Sequence, residues 1–283
     1  MRNMNFAIAV ILYEPDKMVL ENIQSYINFT EKLYVIDNSN TQPSILHRLQ
    51  QYPQVNYISM KGNKGIAAAL NVGAHQALQD KMEYLITMDQ DSKFTEDVFY
   101  SYVHTAENLF KKFSNAAVIG INYDGYNQKK PNQDIEIADE VITSGMIINL
   151  KIMGQLGDFI EKLFIDYVDY EYCYRARNAG YLCFMVNKYK LNHQVGGMQP
   201  IIKYGIHFRN HNEHNAIRQY YMARNAIYVI KKYPRMAMKW VKNLIKAPIK
   251  IVLVDDDKVS KSKGYIKGII DGLRNYYGPK KDL

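Results

Sequence analysis

Two aspartates, Asp89 and Asp91, flank Gln90 at the end of the apolar run Tyr84-Leu85-Ile86-Thr87-Met88. A run of that length, rich in apolar and β-forming side chains, is predicted to be a buried strand. A strand ending in carboxylates places them at the carboxyl edge of a sheet, where open α/β folds bind ligands. Residues two apart on extended chain share a face, so both carboxylates can address one divalent cation. Carboxylate oxygens suit Mg2+ or Mn2+, ions that also bridge phosphate oxygens. An isolated D-x-D is more often a surface turn; the strand before it sets this one apart.

Three further strand ends are predicted to open onto the same edge: Tyr13-Glu14, Asp37-Asn38 and Asn63-Lys64-Gly65. From Gly65 to Gly73, small residues at a helix start would let a ligand approach the backbone closely. An ordinary Ala-rich helix packed on the sheet explains part of the same pattern. Neither G-x-G-x-x-G after the first strand nor a G-x-x-x-x-G-K-[ST] loop is present, which argues against dinucleotide oxidoreductases and P-loop enzymes.

A second acidic centre runs Asp166-Tyr167-Val168-Asp169-Tyr170-Glu171, with Arg175 four residues beyond Glu171. If a helix starts near Val168, Asp169 and Glu171 occupy its first turn, where exposed N–H groups hold anions. A carboxylate aimed at a cleft suits the general base for a sugar hydroxyl. Spacing alone favours capping and a Glu171–Arg175 pair. Glu171, Arg218 and Arg224 are candidates for acceptor or phosphate contact, although arginines on helices more often form ordinary ion pairs. His207, His211 and His214 could form a zinc face on a helix, but Phe208–Glu213 is polar and reads as a loop.

These residues need a frame. Strands are predicted at 6–12, 33–36, 55–59 and 84–89, with helices over 16–29, 44–51 and 66–79 and another capped by Thr95. That alternation implies an α/β fold, a mostly parallel sheet covered by helices on both faces. Beyond residue 115 the rhythm loosens into strands at 116–121 and 143–150, separated by a polar loop over 122–139. A helix over 168–179 ends at Gly180, a short edge strand follows at 182–186, and the chain is helical from 213.

In order along residues 6–230, these segments resemble family 2 glycosyltransferases of the GT-A, Rossmann-like fold, in particular bacterial polysaccharide rhamnosyltransferases. The segments are Val10–Tyr13, Val35–Ser39, Asn63–Gly73, Met88–Ser92, Phe164–Glu171 and Arg218–Asn225. The resemblance implies that Asp37 binds a pyrimidine base, with Tyr13 and Asn63 lining the same donor pocket beside Gly65 and Asn71. It implies Asp91 as metal ligand, Asp89 as donor contact or metal partner, His193 near the metal or diphosphate, and Asp169 as catalytic base. Many members carry Glu-Asp where this chain has Val168-Asp169, the form often found in rhamnosyl-type members. The implied reaction is inverting and dependent on Mg2+ or Mn2+. It would move rhamnose from dTDP-rhamnose to a lipid-linked saccharide in cell-surface polysaccharide synthesis, such as O-antigen or capsule. One alternative is another sugar from a UDP donor. A sugar nucleotidyltransferase would want a Gly-rich basic loop after strand one, which Tyr13-Glu14-Pro15-Asp16 lacks; a non-catalytic sugar- or lipid-binding module would show no metal-dependent donor hydrolysis.

Charge divides the 283-residue chain into a domain over 1–230 and a basic helical extension over 231–283. The extension carries 14 Lys and Arg against 5 acidic residues, more than the whole net charge of +8. Arg235, Lys239, Lys242, Lys246 and Lys250 share one helical face, with Met238, Trp240, Val241, Leu244, Ile245 and Ile249 on the others and Pro248 set to end or kink the helix. Such a helix suits an anionic membrane surface; packing on the domain with a solvated basic face is the other reading. No recognition module accompanies the charge, so nucleic acid is not expected as a partner. No apolar run approaches the roughly 20 residues of a membrane span. Cys173 and Cys183 suggest no disulfide framework, and the first apolar run is too short for a signal core. The expected place is the cytoplasm, peripheral on the inner face of the cytoplasmic membrane.

Overall fold

The first apolar run becomes strand β1 (Phe6–Leu12), buried from its second residue onward. Alternate side chains leave it for opposite faces. Ala7, Ala9 and Ile11 join one core cluster, while Ile8, Val10 and Leu12 join the other. Both faces of the sheet are therefore covered, as a parallel sheet requires. The computed structural model describes residues 4–123, 133–193, 199–203, 206–211 and 214–280, and for 193–211 only the backbone.

The elements follow as α1 (Met18–Gln24), β2 (Leu33–Asp37), α2 (Leu46–Leu49), β3 (Val55–Ser59), α3 (Ile66–Gln79), β4 (Tyr84–Asp89), β5 (Ser92–Lys93) and α4 (Glu96–Lys112). After them come β6 (Ala116–Tyr123), β7 (Ile135–Ile137), β8 (Met146–Asn149), α5 (Leu150–Leu156), α6 (Val168–Asn178) and β9 (Leu182–His193). The chain continues with β10 (Gln199–Lys203), β11 (Ile206–His211), α7 (Ala216–Lys232), α8 (Pro234–Leu253) and α9 (Lys258–Leu273). One sheet runs β3-β2-β1-β4-β8-β6-β9-β5, with β7 also on β9. Strands β3, β2, β1 and β4 are mutually parallel, in register Leu12↔Asp37 and Ile11↔Asp89. Their carboxyl ends form one edge, which β5 and the far end of β9 extend through the pair Ser92↔His193.

Several boundaries differ from expectation for identifiable reasons. The polar stretch 122–139 contains β7, which pairs with the outer side of β9. The strand at 182–186 continues to His193 and is flanked by β6 and β7 rather than lying at the edge. The segment beginning at Phe208, read as a loop, belongs to β11, which pairs antiparallel with β10 in a separate two-stranded ribbon. Thr95 caps α4 by position but makes no side-chain cap bond.

The C-terminal segment is not a projecting tail. Helix α9 lies so close on α7 that a Cβ at Gly268 would stand 2.3 Å from the Tyr220 carbonyl oxygen, and one at Gly272 2.9 Å from that of Arg224. Helix α8 continues through Pro248. Proline has no N–H to offer the carbonyl four residues back, and the Tyr265 hydroxyl of α9 donates to that Leu244 oxygen instead. Gly268→Val is expected to prise α9 from α7 at a cost of about 1–3 kcal/mol, the usual range for overpacking. Thermal unfolding would show it as a Tm lowered by several degrees; an unchanged Tm would contradict this packing.

Candidate active site

Asp37 ends β2 facing the crevice, buried, with both carboxylate oxygens held. The Tyr57 hydroxyl donates to Oδ2 at 2.6 Å and the Ser39 amide to Oδ1 at 3.0 Å. Beside it the buried Asn38 side chain donates to Asn63 Oδ1 at 3.2 Å and accepts from the Lys64 amide at 2.7 Å. Asn63 Oδ1 also accepts from the Gly65 amide at 3.0 Å. Turn-forming residues after consecutive strands thus lock one another, and Asp37, Asn63 and Gly65 come together as expected. Tyr13 is exposed at the rim. Its backbone exchanges two bonds with the Gln90 side-chain amide, at 2.8 and 3.2 Å. The residue between the two aspartates therefore staples the end of β1 to the end of β4, a role that its place in the triplet does not reveal.

Asp89 closes β4, but the chain turns at Gln90 and Asp91, so the two carboxylates flank a turn instead of sharing one face of a strand. Asp89 carries its charge into the site: together with burial it raises the pKa of the Tyr26 phenol, and it also acts on Asp169. Among the described residues no three His, Cys, Asp or Glu side chains converge on a metal cage. Two carboxylates are nonetheless the protein share with which Mg2+ sites completed by substrate phosphates are built. His193 lies outside the described side chains; its backbone pairs with Ser92, directly after Asp91.

Asp169 sits in the first turn of α6. The Tyr170 amide donates to Oδ1 at 2.9 Å and the Thr143 amide to Oδ2 at 3.3 Å. Burial pushes its carboxyl pKa up to about 7, with the charges of Asp89 and Glu140 adding to the rise and backbone hydrogen bonds opposing it. A carboxyl group titrating near neutrality at the mouth of the same edge can take a proton from a hydroxyl.

Four expectations change. Asn71 is buried, and its side chain bonds Phe159 N and O at 2.9 and 3.0 Å and Glu161 at 3.0 Å, so it secures the 159–161 loop instead of lining the donor pocket. Glu171 is buried on the inner side of α6, paired with Arg175 and Lys232 at 3.1 Å each and accepting from the Tyr233 hydroxyl at 2.7 Å. The four-residue spacing to Arg175 was the better guide there, and acceptor contact is ruled out by that burial. Arg224 is fully buried and donates to backbone carbonyls, out of reach of phosphate in the crevice. Arg218 remains half exposed but pairs with Asp166 at 3.1 Å.

One cluster was not anticipated. The side chain of Trp240, from α8, stacks on Tyr170 at 5.2 Å and meets Tyr167 edge-on at 4.8 Å. Its indole N–H donates to the Tyr174 hydroxyl at 2.8 Å and to Glu140 at 3.3 Å, and Lys239 donates to Glu140 at 2.6 Å. The basic extension therefore reaches the residue next to Asp169. The chain's single tryptophan was the available signal.

The family profile described as Glycosyl transferase family 2 matches residues 7–180. Over 297 aligned residues the chain is 26% identical to the dTDP-rhamnosyl transferase RfbF of Shigella flexneri, covering 98% of each. It is 24% identical to the low-salt glycan biosynthesis hexosyltransferase Agl10 of Haloferax volcanii, over 61% of this chain and 62% of that one. Among solved structures, GalNAc-T7 with UDP, GalNAc and Mn2+ superposes with a TM-score of 0.60 at 13% identity, over 95% of this chain and 55% of that one. S. aureus TarS gives 0.59 at 15% identity over 96% of this chain, which spans about half (49%) of the TarS chain. At such identities the structures establish the shared α/β fold.

Proposed function

The chain belongs to glycosyl transferase family 2, and from that premise we propose that it transfers rhamnose from dTDP-rhamnose to a lipid-linked saccharide, inverting the anomeric centre. It is a glycosyltransferase of the hexosyltransferase kind. The observation that carries the mechanism is Asp169: a half-buried carboxyl tuned to about 7 beside the charge of Asp89, on the edge where the donor loops meet. The choice of rhamnose rests on the likeness to RfbF along 98% of both chains.

In this reading Asp37, Asn38 and Asn63 form the floor for the nucleotide base, and Tyr13 closes its rim. Asp89 and Asp91 would hold Mg2+ or Mn2+, which when bound offsets the charge on the departing diphosphate. Asp169 accepts the acceptor hydroxyl's proton as its oxygen attacks the anomeric carbon and the bond to the diphosphate breaks. Attack from the side opposite the leaving group gives inversion in a single displacement.

The acceptor's lipid would lie where α8 and α9 face outward. Met238, Ile245, Ile249, Val252 and Leu253 of α8 are exposed, as are Val259, Ile266, Ile270 and Leu273 of α9. Basic residues, including Lys242, Lys246 and Lys250, share these helices. Among the described residues no helix is long and apolar enough to cross a membrane. Apolar side chains interleaved with lysines suit a helix pair lying on an anionic leaflet, peripheral on the cytoplasmic membrane.

A thermal-shift panel of dTDP, UDP and dTDP-rhamnose, each with and without Mn2+, tests the donor assignment. A ligand at 100 times its Kd stabilises by about 2.7 kcal/mol, so dTDP with Mn2+ should raise Tm by several degrees and EDTA should reverse it. A larger shift with UDP would move the assignment to a UDP-sugar. No shift with any of the three would remove the proposed donor assignment.

A further inference from the structure

The turn before α6 is held in a conformation that L-residues rarely adopt. Phe164, Asp166 and Tyr167 have φ of +68°, +61° and +65°. At Phe164, with ψ of −65°, the Ile165 amide donates back to the Leu163 carbonyl at 2.9 Å. That is the rare and strained hand of γ-turn. Each left-handed position costs roughly 1–2 kcal/mol, so the surroundings must over-determine the turn.

They do so from α7. Arg224 is fully buried, and among the described residues its guanidinium meets oxygens of neutral groups and aromatic rings. It donates to Leu163 O at 2.8 Å, Lys162 O at 3.1 Å, Gly278 O at 2.6 Å and Asn225 Oδ1 at 3.0 Å. Because an arginine only donates, that last bond fixes which end of the Asn225 amide is oxygen and turns its NH2 toward the turn. Nδ2 then donates to Leu163 O at 2.9 Å, Ile165 O at 2.7 Å and Asp166 O at 3.0 Å. Tyr221, on the same helix, stacks on Phe164 at 5.1 Å.

The clamped turn touches both halves of the site. On one side Phe164 O accepts from the Ile66 amide at 2.8 Å. A Cβ at Gly65, whose φ is +87°, would stand 2.6 Å from that same oxygen. On the other side the left-handed Tyr167 starts α6, two residues before Asp169.

We propose that Arg224 and Asn225 are positioning residues for the transfer reaction: they lock the strained 163–167 turn and thereby set Asp169 against the donor loop at Gly65. The proposal rests on Asp169 being the base. Neither residue touches substrate.

Slow hydrolysis of dTDP-rhamnose, with water in place of the acceptor, reads it out in the full-length protein with Mn2+. A misplacement of about 1 Å can cost 10²-fold, so Asn225→Ala should lower kcat by about 10- to 100-fold while KM for dTDP-rhamnose stays within about threefold. Arg224→Lys, which keeps the charge, should retain more activity than Arg224→Ala. Amide hydrogen exchange of Asn225→Ala, read without substrate, should quicken over 164–171 and stay unchanged in β1 to β4. If Asn225→Ala fails to fold, the same exchange pattern and kcat loss in Arg224→Lys decide the matter. Wild-type kcat in these variants, or a loss confined to KM, overturns the proposal although Asp169→Asn is inactive. An active Asp169→Asn overturns the base assignment as well, and so separates the two failures.

Discussion

Replacing Asp169 by Asn is expected to lower sugar transfer by about 10²–10⁴-fold, the usual worth of a general base, while nucleoside diphosphate binding survives. Asparagine keeps one acceptor for the Tyr170 or Thr143 amide but cannot take a proton. A general base works only when ionised, and burial with the charges of Asp89 and Glu140 holds the Asp169 pKa at about 7. Wild-type turnover should therefore climb with pH and flatten above about 7, or below it where a bound cation offsets the charge of Asp89. The same shift acts on stability with a definite sign. The folded state holds the proton more tightly than the unfolded chain, whose carboxyl titrates near 3.8. Wild type thus loses stability relative to Asp169→Asn as pH rises from about 4 to about 7, and the gap is constant above that. Turnover and Tm of both proteins at pH 5 and pH 8 check it. Unchanged turnover in the variant removes Asp169 from the chemistry, and a stability gap that shrinks toward pH 8 removes the explanation for its pKa.

What could be read from sequence follows from how local each signal is. The strands β1 to β4 were legible because apolar runs of strand length sit between turn formers, and the residues after those runs necessarily share an edge. Asp37, Asn63 and Gly65 come from that edge, so their association needed no long-range information. Asn71 failed because nearly every side of α3 is buried, and a polar residue on such a helix gives no sign of which neighbour it bonds. Its partner Phe159 lies 88 residues away. Arg224 failed for a related reason: side-chain spacing can suggest a carboxylate partner, but its acceptors are carbonyls of a distant turn. The sequence sets Trp240 off the basic face of its helix, yet amphipathicity cannot say which apolar residues meet protein and which meet something else. The structure divides them, with Trp240 and Leu244 packed on the core and Ile245 and Ile249 facing out.

That division makes the second large effect predictable. The double variant Ile245→Glu/Ile249→Glu is expected to abolish binding to vesicles of phosphatidylglycerol and phosphatidylcholine. These side chains are 64% and 55% exposed, so the fold loses little when they change. Burying one isoleucine is worth about 1.5–3 kcal/mol, and each basic residue near an anionic surface adds about 1 kcal/mol. Two lost isoleucines and two new like charges together remove on the order of 4 kcal/mol or more, and every 1.4 kcal/mol is tenfold in affinity. Cosedimentation should show wild type binding anionic vesicles, more weakly at high salt, and the variant remaining in solution. Trp240 reports independently where α8 sits during binding, since it is the only tryptophan and its ring is held by Tyr170, Tyr174 and Glu140. If α8 meets the bilayer with its outward face while keeping its contacts beside Asp169, emission from Trp240 stays unshifted on vesicle binding. A blue shift would mean that α8 leaves the active site to enter lipid. Equal binding of wild type and variant would mean that lipid is not what this face meets, and the lipid-linked acceptor would lose its structural support.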